Sequence, residues 1–164
     1  MNKTKKFLLK SIYLMPFFIL IWMLTSGFDL DKLVSSIIAG LILSILVIFW
    51  NLFEYEKFND IIANDFLESQ HSELLENNSE NWNRIKSQLK MQVGNFRKIR
   101  ETENLIEYEI IQKITNSILR AERKNEQILV EIKKRHLNFI PDMAENYRII
   151  NKLMKRIKTT TNSA

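Results

Sequence analysis

The chain of 164 residues contains no cysteine, three glycines and two prolines. The missing cysteine excludes disulfides, thiolate metal sites and cysteine nucleophiles, and the scarcity of turn residues disfavours a many-stranded sheet. The net charge of +5 conceals two blocks: residues 51–80 carry eight acids and one base, and residues 81–164 carry eighteen bases and nine acids. Neighbouring blocks of opposite charge favour pairing within the molecule or with a neighbour over nucleic-acid binding.

Two uncharged runs, at residues 11–28 and 33–53, follow a basic tail at residues 1–10 that holds four lysines. About 20 residues of helix cross the hydrocarbon core of a bilayer, in which every backbone amide must bond within its own segment. The short acidic link between the runs therefore predicts an antiparallel transmembrane hairpin, with both termini on the cytoplasmic side of the inner membrane. A cleaved signal peptide ending near Gly27 is the alternative, but it leaves the second run unexplained.

Small residues recur every four positions in the second run, at Ser36, Gly40 and Ser44. This spacing predicts a helix-packing face that lets two helix backbones approach closely. The face is expected to pack on the first helix of the same chain, and packing on another subunit is the alternative. Neither run has an ionisable residue at its centre, so the chain by itself is not expected to be a coupled transporter.

The remainder, residues 54–158, is predicted to be a cytoplasmic helical domain, which makes the fold class an all-α membrane protein with long amphipathic helices after the hairpin. Residues 54–78 are expected to continue the second membrane helix, and apolar residues from Trp82 to Phe96 recur in steps of three and four. A heptad pattern then predicts a coiled-coil oligomer seam in which the polar residue would set the register. The seam consists of Ile111, Ile114, Ile118, Ala121, Asn125, Ile128 and Ile132.

The same stretch also permits strands. Ile128, Val130 and Ile132 alternate with other residues, as they would in a strand with one buried face. The alternative fold class is therefore an α+β cytoplasmic domain with a β-hairpin around residues 117–136. The turn of that hairpin, near Arg123–Glu126, lacks the glycine that such turns favour.

A last helix is expected to begin near Asp142 and to bury Met143, Tyr147, Ile150, Met154 and Ile157 on one face. Docking of that face on the rest of the domain is the favoured interpretation. The alternative is contact with an anionic membrane surface through the cations near the end of the helix. Those cations are Lys152, Lys155, Arg156 and Lys158, and a disordered tail is expected at residues 159–164.

The sequence contains no recognisable chemistry of catalysis. His71 and His136 are solitary and are expected to lie on the surface, and there is no phosphate-binding glycine loop, nucleophile elbow or metal-ligand spacing. We therefore predict no catalytic, cofactor-binding or metal residue, no enzyme activity and no nucleic-acid partner. The expected partners are the lipid bilayer and either a second copy of the chain or another membrane protein.

The stretch Ile21–Gly27, followed by an apolar run that contains Gly40, resembles the start of the E-type accessory proteins of the multisubunit Na+/H+ antiporters. The resemblance implies a small cytoplasmic α/β domain in which Ser117–Arg135 is a hairpin and 142–158 is the final helix. It also implies a role as an accessory component of a monovalent cation/proton antiporter. The leading hypothesis is instead a membrane-anchored protein that acts by self-assembly or partner binding, and that could frame a pore as an oligomer.

Overall fold

The structure is a computed structural model that describes residues 2–28, 30–58, 61–62, 64–92, 95–113, 115–136, 138 and 142–159. The chain divides into two compact units. Unit 1 comprises Met1–Glu68 and Phe139–Ala144, and unit 2 comprises Ser69–Asn138 and Glu145–Ala164.

Unit 1 is built on two long helices, α1 (Lys3–Ser26) and α2 (Leu33–Glu56), joined through a short 3-10 turn at Leu30–Lys32. Each helix has 24 residues, which corresponds to a length of about 36 Å. The side chain of Asn2 caps α1 by accepting a hydrogen bond from the amide of Lys5 at 2.8 Å. The helices therefore contain most of the two predicted spans, and α1 begins well inside the predicted basic tail.

The predicted extension of α2 through residues 54–78 is wrong beyond Glu56. The amide of Phe58 bonds to the carbonyl of Tyr55, which tightens the last turn, and a further turn with Leu67 at φ +59° follows. His71–Glu76 then forms strand β1, whose backbone pairs with a distant part of the chain. That long-range pairing satisfies the backbone groups that a continued helix would have bonded locally.

Unit 2 contains a five-stranded antiparallel sheet in the order β1-β5-β4-β3-β2. The strands that follow β1 are β2 (Phe96–Glu101), β3 (Leu105–Ile110), β4 (Ser117–Lys124) and β5 (Gln127–Lys134). A bulge interrupts the pairing of β2 with β3 between Lys98 and Arg100. The prediction of an all-α fold is therefore wrong, and the β4–β5 hairpin lies inside the range given for the alternative.

Helices α3 (Ser79–Met91) and α4 (Glu145–Thr159) pack on one face of this sheet. Asn78 caps α3, since its side chain accepts a hydrogen bond from the amide of Asn81 at 2.7 Å. The core between helices and sheet is aliphatic with two aromatic rings. It is formed by Trp82, Ile85, Leu89, Ile106, Tyr108, Ile110, Leu119, Ala121, Ile128, Val130, Ile132, Ile150, Leu153, Met154 and Ile157.

The predicted helical seam is wrong, because its residues belong to strands and loops. Residues three apart in a strand point to opposite faces, so Ala121 lies in the core whereas Ile118 faces away from the helices. Ile128 and Ile132 are buried in β5, Ile111 is half exposed beyond the end of β3, and Ile114 lies outside the described residues. No continuous helical stripe therefore exists over the described part of 111–132.

Asn125 occupies the hairpin turn instead of a coiled-coil core. Lys124 pairs with Gln127, which leaves Asn125 and Glu126 as a two-residue connection, and Asn125 has φ +48°. Asparagine tolerates this left-handed conformation better than other residues with a side chain. The polar residue in the apparent heptad pattern is therefore explained by the geometry of the turn.

This assignment predicts that Asn125→Ala lowers the free energy of unfolding by about 1 kcal/mol, because alanine is strained at positive φ. Asn125→Gly should be nearly neutral, since glycine adopts this conformation freely. Urea unfolding of the full chain in detergent, followed by circular dichroism near 218 nm, measures the difference. Glu126→Ala is the matched control in the same turn, and an Asn125→Ala variant as stable as this control would contradict the assignment.

Candidate functional site

The surface of the helical hairpin is strongly apolar. By length and composition, α1 and α2 are each able to cross a membrane. Large aliphatic and aromatic side chains point outward along both helices, with exposures of 62% for Leu24, 69% for Val34 and 64% for Trp50. A contiguous apolar surface of this kind is rarely left to water and is normally covered by lipid or by protein.

The predicted small-residue face lies buried within unit 1. Ser36, Gly40 and Ser44 share one side of α2, and a side chain at Gly40 would meet Ile19 of α1. A Cβ atom at Gly40 would lie 2.9 Å from the backbone nitrogen of Ile19 and still closer to its Cγ1. The structure thus places this face at the contact between the two helices of the same chain.

The two serine hydroxyls on this face bond to their own helix. Ser36 donates to the carbonyl of Lys32 at 2.9 Å, and Ser44 donates to the carbonyl of Leu41 at 2.9 Å. Their hydrogen-bonding capacity is used locally, so the serines contribute small size to the contact rather than bonds across it.

A charged cluster lies at the end of the hairpin where the chain leaves α2. Lys6 is 5% exposed, and its Nζ lies 3.0 Å from Oε1 of Glu68 and 2.6 Å from the carbonyl of Asn64. Lys10 donates to the other oxygen of Glu68 at 2.8 Å. We call Lys6, Lys10, Tyr55, Glu68 and Asp142 the basal cluster.

The charges of the basal cluster set the ionisation of Glu68. Burial of this carboxyl group acts to raise its pKa, but hydrogen bonds and charge from Lys10 and Lys6 outweigh burial and hold the pKa below its usual value. Glu68 is therefore an anion at neutral pH that binds two ammonium groups. Lys6 lies with Ser11 and Leu14 among the buried residues of α1, and its ion pair with Glu68 compensates the cost of burying its charge.

Polar side chains at the end of α2 bind two further segments of unit 1. The hydroxyl of Tyr55 contacts the carbonyl of Glu68 and lies 3.1 Å from Oδ1 of Asp142. Asn51 accepts a hydrogen bond from the amide of Met143 at 2.8 Å. Residues 64–68 and 142–144 are thereby attached to the end of the hairpin.

Sequence reasoning missed this cluster, although one signal was present. Ile48, Asn51 and Tyr55 continue the buried face of Ser36, Gly40 and Ser44 along α2, in steps of four, three and four residues. A polar residue that continues a packing face indicates a hydrogen-bonding partner. The partners themselves lie far along the chain and leave no local mark.

A second buried polar network lies in unit 2. Asn146 donates to the carbonyl of Ser69 at 2.6 Å, Gln112 donates to Asn146 at 2.8 Å, and Ser117 donates to Gln112 at 2.8 Å. The continuous chain of bonds satisfies buried polar atoms and stabilises the first turn of α4 on the sheet.

His71 is buried beside this network, so the prediction that it lies on the surface is wrong. It begins β1 on the face that carries the helices, and its ring lies edge-on to that of Tyr147 with 5.3 Å between centroids. His136, in contrast, is exposed. Within the described residues, no group of three or more His, Cys, Asp or Glu side chains is placed to hold a metal ion.

The face of the sheet opposite the helices carries alternating charges. Across neighbouring strands Glu131, Arg120, Glu107 and Arg100 lie side by side, so each charge borders the opposite sign. Hydrogen bonds from Asn116 and Arg135 hold the pKa of the nearby Glu109 below its usual value despite burial. Opposite charges on facing strands stabilise the sheet.

A shallow groove of about 500 Å³ lies between the start of α4 and the ends of β2 and β3. Phe96, Ile110 and Ile149 supply apolar walls, and Lys113 and Glu145 supply opposite charges at the rim. No nucleophile with an adjacent base lines this groove among the residues that the structure describes.

The cations predicted to contact a membrane surface lie on the exposed side of α4. Lys152, Lys155, Arg156 and Lys158 are exposed, whereas Ile150, Met154 and Ile157 of the same helix are buried in the core. Lys158 lies 3.5 Å from Glu73 of β1. Docking of the apolar face on the sheet, the favoured interpretation, is the arrangement found.

No protein-family model matches the chain, and no curated protein is significantly similar to it. The class of protein is therefore defined by the structure alone. One chain combines a two-helix hairpin, able by length and composition to span a membrane, with an α+β unit built on an antiparallel sheet. The resemblance of Ile21–Gly27 to the E-type antiporter accessory proteins stays a prediction.

Proposed function

We propose that this chain is a non-enzymatic inner-membrane protein that crosses the bilayer twice and acts by assembling with copies of itself or with another membrane protein. The observation that carries the proposal is the outward apolar surface of α1 and α2, two helices long enough to span a bilayer. A soluble protein would bury this surface in its core, whereas lipid accepts it without cost.

The charges at the two ends of the hairpin support an orientation with both termini in the cytoplasm. Lys3, Lys5, Lys6 and Lys10 lie in the first turns of α1, and the opposite end carries Asp31 and Lys32. Lysines near a membrane-spanning segment are retained on the cytoplasmic side. The basal cluster, with two of these lysines, would then lie at the cytoplasmic interface.

Cysteine labelling tests this topology cleanly because the chain has no native cysteine. We expect a membrane-impermeant maleimide to label Asp31→Cys in cells whose outer barrier is permeabilised, and to label Thr4→Cys and Glu126→Cys only after the inner membrane is opened. All three positions are exposed. Labelling of Glu126→Cys in closed cells would contradict the orientation, and release of the chain by carbonate would contradict membrane anchoring.

Self-assembly is tested by co-expressing two copies with different affinity tags. We expect one tag to recover the other from solubilised membranes, or to recover one stoichiometric membrane-protein partner. The apolar outer surface of the hairpin and the free edges of the sheet both offer contacts that a second copy can use. A chain that stays monomeric in its membrane and co-purifies with nothing would contradict the proposal.

A second candidate is an accessory component of a multisubunit cation/proton antiporter. One observation favours it: the hairpin at Ser117–Lys134 and the helix at Glu145–Thr159 occur where the resemblance implies them. This candidate predicts that deleting the gene reduces sodium-driven proton exchange in membrane vesicles. If sodium-driven proton exchange is unchanged and the chain self-associates, the antiporter candidate is contradicted and the assembly proposal stands.

A further inference from the structure

The two edges of the sheet in unit 2 are both open to a partner strand. Among the strands that the structure describes, β1 and β2 each have a single hydrogen-bonded neighbour. Each also displays one large aliphatic side chain to solvent, with Leu74 56% exposed on β1 and Ile99 52% exposed on β2. An exposed edge with an apolar side chain is a template for pairing with another chain.

The edges carry opposite charge. The acidic residues of β1 are Glu73, which has Lys158 of α4 at 3.5 Å, and Glu76. In contrast, β2 carries Arg97, Lys98 and Arg100 against the single acid Glu101. Pairing of β1 with β1 would bring four carboxylates together, and pairing of β2 with β2 would bring six cations together. Like charges on facing strands are destabilising, so the charges favour contact between unlike edges.

The sheet topology is compatible with such a contact. Four antiparallel steps separate β1 from β2, so these two strands run in the same direction. A second copy related by rotation about an axis roughly parallel to the strands would therefore continue the sheet through a parallel β1–β2 pair. An interface between unlike surfaces of identical chains generates a closed ring or an open filament.

We propose that the acidic edge β1 of one copy pairs with the basic edge β2 of the next, so that a second copy of this chain is the occupant of both edges. This inference rests on the self-assembly part of the proposed function and names its surface. Six-residue strands, one of them interrupted by the bulge at Ile99, bury less area than a stable soluble dimer needs. Confinement to a membrane compensates by raising the effective concentration of the copies.

Disulfide trapping with Leu74→Cys and Ile99→Cys tests the proposal in the full chain, in its membrane, without background from native cysteine. Mixed copies of the two single variants should give covalent dimers and nothing larger, whereas the double variant should give a ladder of higher multimers. Each single variant alone should give no dimer. A dimer formed by one single variant alone, or no dimer in the mixture, would overturn the proposal.

Charge-reversed variants provide an independent test of the contact between β1 and β2. Glu73→Lys with Glu76→Lys on β1, or Lys98→Glu with Arg100→Glu on β2, should each lower the trapped yield of the mixture about fivefold, from repulsion of roughly one like-charge pair. Combining the reversed β1 with the reversed β2 should restore the yield. Circular dichroism of each variant verifies that the sheet is intact, and a yield that ignores both reversals would overturn the proposal.

Energy transfer between copies labelled at Thr4→Cys reports self-association whichever surfaces the copies use. It therefore distinguishes self-assembly as such from the particular contact between β1 and β2. Energy transfer without a Leu74–Ile99 disulfide would overturn the edge contact and leave the proposed assembly function in place. Absence of energy transfer at membrane densities where the chain is abundant would overturn the edge contact and the self-assembly on which it rests, and would leave only assembly with a different membrane protein.

Discussion

Replacing Gly40 with leucine is expected to lower the stability of the helical hairpin by about 3 kcal/mol, the upper part of the usual range for overpacking a close contact. Even a Cβ atom at this position would lie 2.9 Å from the backbone nitrogen of Ile19. Backbone atoms cannot rotate away as a side-chain tip can, so α1 would have to move as a whole. Leucine is about 1 kcal/mol more favourable than glycine in a helix. The steric cost must exceed this gain for the substitution to destabilise the hairpin.

Denaturation of the full chain in mixed micelles with increasing SDS, followed by energy transfer between labels at Thr4→Cys and Phe53→Cys, measures how tightly the hairpin holds together. Gly40→Ala should show a smaller loss of the same sign. Ser35→Leu adds bulk at an exposed position five residues earlier on α2 and should be neutral. A Gly40→Leu hairpin as stable as the Ser35→Leu control would show that the close approach is not needed.

The same variant separates the two interpretations of the small-residue face. If the face serves only the contact between α1 and α2, Gly40→Leu should weaken the hairpin at any protein concentration. If it serves another copy, the loss should instead appear as a concentration-dependent loss of energy transfer between chains. The buried position of Ser36, Gly40 and Ser44 within unit 1 leads us to expect the first result.

The helices of the hairpin could be predicted from the sequence because their signals are local. Long uncharged runs and a short polar link specify two antiparallel helices without reference to the rest of the chain. The four-residue spacing of Ser36, Gly40 and Ser44 likewise lies on one helix. The structure adds only that α1 begins near Lys3 and that α2 ends near Glu56.

The sheet could not be predicted with the same certainty, because its stabilisation is not local. Over a short window, residues three and four apart can be drawn as a helical stripe, and the isoleucines of 111–132 satisfied that pattern by coincidence. What decides the outcome is pairing of β5 with β1, more than 50 positions away in the chain, and of β3 with both neighbours. The isoleucine and valine content of Ile128–Ile132 pointed toward a strand, and Asn125 toward a turn.

The contacts of the basal cluster could not be predicted from the sequence either, because they also join distant parts of the chain. Lys6 and Lys10 are expected cytoplasmic lysines on sequence grounds, and Glu68 lies in an acidic block that is expected to pair with something. Nothing in the sequence says that these three meet, since 58 positions separate Lys10 from Glu68. Asp142 is more distant still from Tyr55, at a separation of 87.

Replacing Glu68 with glutamine is therefore the second test with a large expected effect. The change removes the carboxylate shared by Lys6 and Lys10 and should lower the free energy of unfolding by about 2 kcal/mol. This estimate lies below the ~3–5 kcal/mol typical of breaking a buried ion pair, because a third of the Glu68 side chain is exposed and solvent screens it. Glu54→Gln is the matched control, since its ion pair with the well-exposed Lys57 should contribute at most about 0.5 kcal/mol.

The pH dependence gives this prediction a second readout. The pKa of Glu68 is lower in the folded chain than in the unfolded one, because Lys10 and Lys6 outweigh the opposing effect of burial. The unfolded state therefore binds the proton more readily, and the stabilisation is complete above the ordinary glutamate pKa and disappears as the pH falls through the lowered value. The stability difference between the wild-type chain and Glu68→Gln should accordingly be largest near pH 7 and shrink towards pH 3, whereas a difference that stays constant over this range would mean that the charge of Glu68 contributes nothing.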